Sequence, residues 1–215
     1  MIFGVQTTVL LATLLILGVG ASSAWPAESA ETRWNFEDVQ PGAMPGWLST
    51  PAGKWEVRDA ADSPVGKHAL FQAAKNSGST FNIAVDSAAR LQNLELTVRM
   101  KAVAGGEDQG GGLVWRYRDV RNYYVARYNP LENNYRVYKV VDGLRREMAS
   151  ADVEAGPGWR QVTIRMSGKH ITCGLDGKTY LTVDDGTFPN AGTVGVWTKA
   201  DAQSLFMGLE ARALP

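Results

Sequence analysis

Gly110 to Glu147 reads GGGLVWRYRDVRNYYVARYNPLENNYRVYKVVDGLRRE, and Ala191 to Asp201 reads AGTVGVWTKAD. In both stretches aliphatic residues alternate with rings and cations at a period of two, and Gly, Asn and Asp fall at the breaks. Period two is the repeat of a strand, whose successive side chains face opposite sides. The pattern divides into strands over Gly111–Arg118, Tyr123–Tyr128 and Tyr135–Val141. The segment Asn129 to Asn134 joins the second to the third. Asp142-Gly143 then turns the chain, since glycine tolerates the positive φ of a tight hairpin.

The same reading extends outward. From Asn93 to Val103, Leu94, Leu96, Val98 and Met100 share one side while Glu95, Thr97, Arg99 and Lys101 share the other, the alternation of a half-buried strand. Trp159–Met166, His170–Leu175 and Thr179–Val183 follow, turned at Ser167-Gly168 and Asp176-Gly177. Arg33–Phe36, Lys54–Arg58, Ala69–Ala74 and Thr80–Val85 precede them, a Pro- and Gly-rich loop over Glu37–Ser49 intervenes, and Thr193–Thr198 and Ser204–Ala211 close the chain. About a dozen short strands with turns every ~8–12 residues predict an all-β sandwich or barrel. No stretch has a helical period, and no repeat supports a propeller or solenoid.

The first 24 residues hold no Asp, Glu, Lys or Arg; Val9 to Val19 is leucine-rich and apolar, and Ser22-Ser23-Ala24 supplies small residues. This predicts a secretory signal peptide over residues 1–24, a linker over 25–32, and one domain over 33–213. Only the terminal amine charges the segment before the apolar run, so an uncleaved N-terminal anchor is the alternative. The expected location is secreted or periplasmic, with no membrane contact after cleavage. Cys173 is the single cysteine. No intrachain disulfide can form, so the fold must hold by packing. Cys173 shares a strand side with Ile171 and Leu175 and reads as a small buried hydrophobe.

Formal net charge is zero, from 22 basic and 22 acidic residues, so there is no global basic footprint and no nucleic-acid partner is expected. The charge is uneven: between Arg116 and Arg146 lie eight basic residues and three acids. Arginine stems covering neighbouring rings account for part of this, and a patch for a polar or anionic ligand is the sharper reading. A sheet side bearing rings and cations suits sugars, because a ring stacks on the apolar face of a pyranose while guanidinium and amide groups bind hydroxyls.

Several chemistries lack their residues. The acid pairs Glu37-Asp38, Glu107-Asp108 and Asp184-Asp185 are adjacent and sit in turns, whereas glycosidic cleavage needs two carboxyl groups facing each other across the bond. His68 and His170 stand alone, with no zinc pattern. Gly110-Gly111-Gly112 precedes a strand and so cannot present a helix N-terminus to phosphate.

The ensemble over Gly111–Gly143, the Trp159 strand with Asp176-Gly177, and DGTFPNAGTVGVWTKAD at Asp185–Asp201 resembles the 3-keto-disaccharide hydrolase-type domain family. The resemblance spans about Arg33 to Ala211 and is strongest from Trp115 to Asp201. It implies a concanavalin A-like jelly roll of two antiparallel sheets with one concave face. It also implies a carbohydrate ligand and cleavage of 3-keto-glycosides by base-assisted elimination and hydration, with a non-catalytic lectin-like module as the alternative. On that reading Arg127, Lys199 and Asp201 carry the chemistry, while Arg116, Tyr124, Lys139 and Trp197 bind substrate. Asp201, Glu132 and His170 are the available bases. Trp115 and Trp159 are assigned to the core. Phe36-Glu37-Asp38 resembles the acidic opening of jelly rolls that bind structural calcium with oxygens of the last strand. This chain has Phe206-Met207-Gly208 there, short of oxygen donors. No cofactor or metal is therefore expected, and a structural calcium stays the alternative.

Overall fold

A computed structural model of the chain describes residues 31–215. The expected signal peptide and residues 25–30 of the expected linker lie outside the described residues. Within them the chain forms fifteen strands: β1 (Glu31–Arg33), β2 (Leu48–Ala52), β3 (Trp55–Asp59), β4 (His68–Gln72), β5 (Phe81–Leu91), β6 (Leu94–Ala104), β7 (Gly111–Asp119), β8 (Asn122–Asn129), β9 (Asn134–Val141), β10 (Leu144–Asp152), β11 (Trp159–Ser167), β12 (His170–Leu175), β13 (Lys178–Asp184), β14 (Gly192–Lys199) and β15 (Gln203–Ala213). β1 includes Glu31 and Thr32, two residues of the expected linker.

The strands form two antiparallel sheets. One runs β13-β12-β11-β6-β15-β4-β3, with β1 also paired to β15; the other runs β10-β9-β8-β7-β14-β5-β2. Sequence neighbours pair through tight turns where the residues permit. Asp142-Gly143 and Asp176-Gly177 have φ of 52° and 83°, and of 50° and 80°, the left-handed pair that a two-residue hairpin requires. This is the all-β sandwich that the alternating pattern predicts, in the two-sheet jelly-roll form that the family resemblance implies.

The sheets meet face to face. Leu94, Leu96 and Val98 of β6 and Val162, Ile164 and Met166 of β11 join Leu113 and Trp115 of β7 and Tyr124 and Ala126 of β8 in one buried cluster. Trp115 stacks on Tyr124 with centroids 5.5 Å apart, and its indole N–H reaches Met166 Sδ at 3.2 Å. Burial satisfies the apolar bulk of each ring while its polar tip keeps a partner. Cys173 is buried with Ile171 and Leu175, and burial pushes its thiol pKa up. Trp159 departs from expectation. It stands on the outward side of the first sheet, partly buried against Ala69, Phe71 and Leu205.

The second sheet has another layer of packing on its far side. Ile83, Val85, Val114, Tyr117, Tyr123, Val125, Tyr138, Val140 and Trp197 form a cluster drawn from that sheet alone. Its shape follows from one contact. The Arg145 guanidinium on β10 lies 5.6 Å from the Phe81 ring on β5, five strand positions away. Five steps across a flat sheet span about 24 Å, well beyond the reach of the two side chains. The sheet therefore curls, and its outward side is concave.

Candidate functional site

At one end of this concavity five elements bring charged groups together. The β6–β7 loop carries Asp108, β8 carries Arg127 and Asn129, the β8–β9 loop carries Glu132, β9 carries Asn134 and Arg136, and β14 carries Lys199. Alternation explains the convergence. Tyr123, Val125 and Arg127 share one side of β8, with Tyr124 and Ala126 on the other, and the register sets Arg127 opposite Arg136 and Gly112. Because Gly112 has no side chain, Arg127 lies low against the sheet and is 2% exposed.

Arg127 bridges two carboxylates. Its Nη1 lies 3.5 Å from Asp108 Oδ1 and its Nη2 donates to Glu132 Oε2 at 3.0 Å. Asp108 also accepts from Asn129 Nδ2 at 3.0 Å and pairs with Lys199 Nζ at 3.3 Å. Glu132 also accepts from Asn134 Nδ2 at 2.9 Å and lies 3.5 Å from Arg136 Nη1; Arg136 in turn reaches Glu147 at 3.5 Å. The Asn134 amide, together with Arg127 and Arg136, holds the Glu132 carboxyl below the usual range. Asp108 is buried, so its charge is compensated from two sides as a buried carboxylate requires. Glu132, Arg136 and Glu147 reach solvent. Two buried polar atoms in the cluster have no partner: Arg127 Nε and Asn134 Oδ1.

Beside the charges lies a floor of rings. Trp197 Nε1 donates to the Tyr123 hydroxyl at 3.3 Å, and Phe81 and Trp197 pack with centroids 5.3 Å apart. Burial lifts the Tyr117 hydroxyl to about 12 and the Tyr123 hydroxyl higher still. Both remain neutral donors or acceptors at any physiological pH. Arg145 covers the floor, 4.5 Å from the Tyr138 centroid and 6.0 Å from that of Trp197.

Of the seven residues singled out in the sequence, three share this face. Arg127 and Lys199 meet on Asp108. Trp197 belongs to the floor but is fully buried, so its ring supports the face rather than lying open at a loop mouth. Asp201 sits behind the face. Its carboxylate accepts the backbone N–H of Gly106 at 2.7 Å, of Glu107 at 3.1 Å and of Asp108 at 2.9 Å, and the Gly106 amide foremost holds its pKa low. A carboxylate capped in this way is a poor proton acceptor; Asp201 positions the loop that carries Asp108.

The other three lie elsewhere. Arg116 is buried at the opposite end of β7 with φ 44°. Its guanidinium donates to the carbonyls of Gln92 at 3.0 Å, Phe188 at 2.6 Å and Gly168 at 2.8 Å, stapling three loops. Tyr124 and Lys139 face inward between the sheets and converge on Asp185, at 2.7 Å and 2.6 Å. Burial raises the Tyr124 hydroxyl to about 12. Burial also pushes Asp185 upward, but the bonds from Lys139, Thr187 and Tyr124 outweigh it and hold the carboxyl far below its ordinary value. This network ties the loop after β13 to β8 and β9.

Asp108, the centre of the cluster, stands in the sequence as one of two adjacent turn acids. Only the pairing of β7 with β8 and β14 shows that its loop hangs over Arg127 and Lys199. Among the remaining candidates, His170 is an exposed hairpin residue 2.8 Å from Asp184. Glu37 accepts the N–H groups of Lys67 at 2.7 Å and His68 at 3.1 Å, while the facing strand offers Met207 and Gly208. Among the described residues no group of three or more His, Cys, Asp or Glu side chains can hold a metal ion.

No protein-family model matches the sequence, and no curated protein matches it. Solved structures do. The chain is similar to the carbohydrate-binding module CBM66 from Bacillus subtilis, with TM-score 0.64 and 16% identity over 78% of this chain and 94% of that one. It is similar to an apo Crh5 transglycosylase, with TM-score 0.55 and 12% identity over 86% of this chain and 85% of that one. It is also similar to the GH43 protein BlXynB from Bacillus licheniformis, with TM-score 0.53 and 13% identity over 74% of this chain and 37% of that one. At these identities the likeness establishes a shared sandwich fold.

Proposed function

We propose that the chain is a carbohydrate-binding domain that seats a saccharide on the concave face of the seven-stranded sheet, at the Asp108–Arg127–Glu132 cluster. The observation that carries this reading is the cluster itself: solvent-reaching carboxylates and cations beside a ring floor. A sugar offers hydroxyls that donate to such carboxylates and accept from such cations. Glu132, Arg136 and Glu147 would bind those hydroxyls, with Arg127 and Asp108 holding them in place. The fold neighbours include a carbohydrate-binding module, a transglycosylase and a GH43 protein, which is consistent with the reading.

Hydrolysis of 3-keto-glycosides, implied by the family resemblance, is the second reading, and Glu132 is the observation that favours it. Elimination needs one base to take the proton beside the ketone and one cation near the developing enolate; the anomeric group leaves as the double bond forms, and water then adds across it. Glu132 is a charged, solvent-reaching carboxylate with Arg136 and Arg127 beside it. Its lowered pKa makes it a weak base, which places binding first. Export to the periplasm or the exterior, or retention by an N-terminal anchor, completes the proposal and is tested by sequencing the N-terminus of the purified protein.

Screening the protein against neutral and acidic oligosaccharides, with a 3-keto-disaccharide included, tests both readings. Saturable binding lost in Glu132→Ala/Arg136→Ala supports the site, and release of free sugar lost in Glu132→Gln supports the enzyme. No binding to any saccharide contradicts both.

A further inference from the structure

Arg145 stands apart from the other cations of the concave face. Arg127 is held by Asp108 and Glu132, Lys199 by Asp108, and Arg136 by Glu132 and Glu147. Among the described residues Arg145 has no carboxylate partner. Glu147, two residues further along β10, is taken by Arg136. The Arg145 guanidinium instead lies against three rings, those of Tyr138, Phe81 and Trp197, at 4.5 Å, 5.6 Å and 6.0 Å. Of its three nitrogens only Nη1 is fully buried without a hydrogen-bond partner; the residue as a whole is half-buried, and its Nε–Nη2 edge is the part left for a ligand.

Ring faces attract a cation weakly and do not replace the hydrogen bonds that Nη1 loses on leaving water. The Nε–Nη2 edge of the fork can still take a carboxylate, which the planar guanidinium matches in a bidentate pair. Of these rings Tyr138 and Trp197 are buried and back the guanidinium, and Phe81, partly exposed, offers apolar surface to a pyranose. We infer that the concave face binds a carboxylate-bearing saccharide, a uronate, whose carboxyl group pairs with Arg145 while its hydroxyls reach the Glu132 and Arg136 cluster. This rests on the carbohydrate reading and adds the charge class of the ligand.

The test compares uronate disaccharides with their methyl esters, which keep the hydroxyls and remove the charge. Calorimetry on the unmodified protein uses the galacturonate, glucuronate and mannuronate pairs, then repeats any binding pair on Arg145→Gln and Arg145→Lys, with thermal melts confirming that each variant folds. At least one acid should bind about tenfold or more tightly than its ester, the scale of a charge-assisted pair. Arg145→Gln should erase that difference, and Arg145→Lys should retain part of it. Equal binding of acid and ester by the unmodified protein overturns the inference and leaves the carbohydrate reading standing. A preference that survives in folded Arg145→Gln overturns the assignment to Arg145. If no uronate pair binds, the inference fails, and the neutral oligosaccharides decide the carbohydrate reading separately.

Discussion

Three arginines of the seven-stranded sheet illustrate how differently one residue type is used. Arg116 meets only carbonyls and is scaffold. Arg127 meets two carboxylates and organises a site. Arg145 meets rings and is open to a ligand. Arg116→Ala should therefore destabilise the protein by about 2–4 kcal/mol in urea unfolding, because three carbonyls lose their donors at once, while saccharide affinity in the folded variant stays unchanged. Asp185 gives a pH dependence with a defined sign. Its folded pKa lies below its unfolded value, so its contribution is present above about pH 4, the ordinary aspartate value, and fades as pH falls below that toward the folded pKa. Asp185→Asn should lower the melting temperature at pH 7, and the gap from the unmodified protein should narrow steadily on acidification from pH 4 to pH 2. A gap independent of pH would detach the Lys139–Tyr124 network from stability.

At the level of strands and loops, alternation carried most of the sequence reading. β6, β8, β9, β11 and β12 fall where period two places them, because each buries one side and exposes or repacks the other. β2 and β10 were not assigned. β2 lies at a sheet edge behind a Pro- and Gly-rich loop and is largely exposed. β10 is also an edge strand, with solvent on most of its length and a register shift between Glu147 and Ala149, so its hydrophobic pattern has no constant period. Arg145, counted in the sequence among the basic residues of that region, therefore has no side of a sheet assigned to it by the pattern. Both sides of the seven-stranded sheet are packed, so alternation alone could not tell the inward Tyr124 and Lys139 from the outward Tyr123 and Arg127. Gly112 and Gly195 sit on the concave side where an added Cβ would collide with the carbonyl oxygens of Ala126 and Ala84. Gly112→Ala and Gly195→Ala should each force the strands apart and cost about 1–3 kcal/mol, read as a lower urea midpoint. Asp201→Ala removes the acceptor for three loop amides, so hydrogen exchange should quicken at Gly106, Glu107 and Asp108 and little elsewhere; uniform quickening would mean that Asp201 supports the whole fold instead.

For the molecule as a whole, the sandwich was legible because it depends on a pattern spread over the entire chain. The site was legible only in part because it depends on which strands lie side by side and how far the sheet curls. Arg127, Lys199 and Asp201 stand in the sequence as separate candidates, and their common partner, Asp108, belongs to a loop that reaches them only because β14 lies between β7 and β5. The central claim is that the concave face, and no other surface, receives a saccharide. Backbone and side-chain NMR shifts recorded while titrating an oligosaccharide that binds test it most directly. The predicted result is a cluster of shifts at Glu132, Arg136, Tyr138, Arg145 and Lys199. Shifts confined to the outward side of the other sheet, around Thr163, Thr172 and Thr179, or to the cavity between Met100, Tyr128 and Arg160, would contradict it.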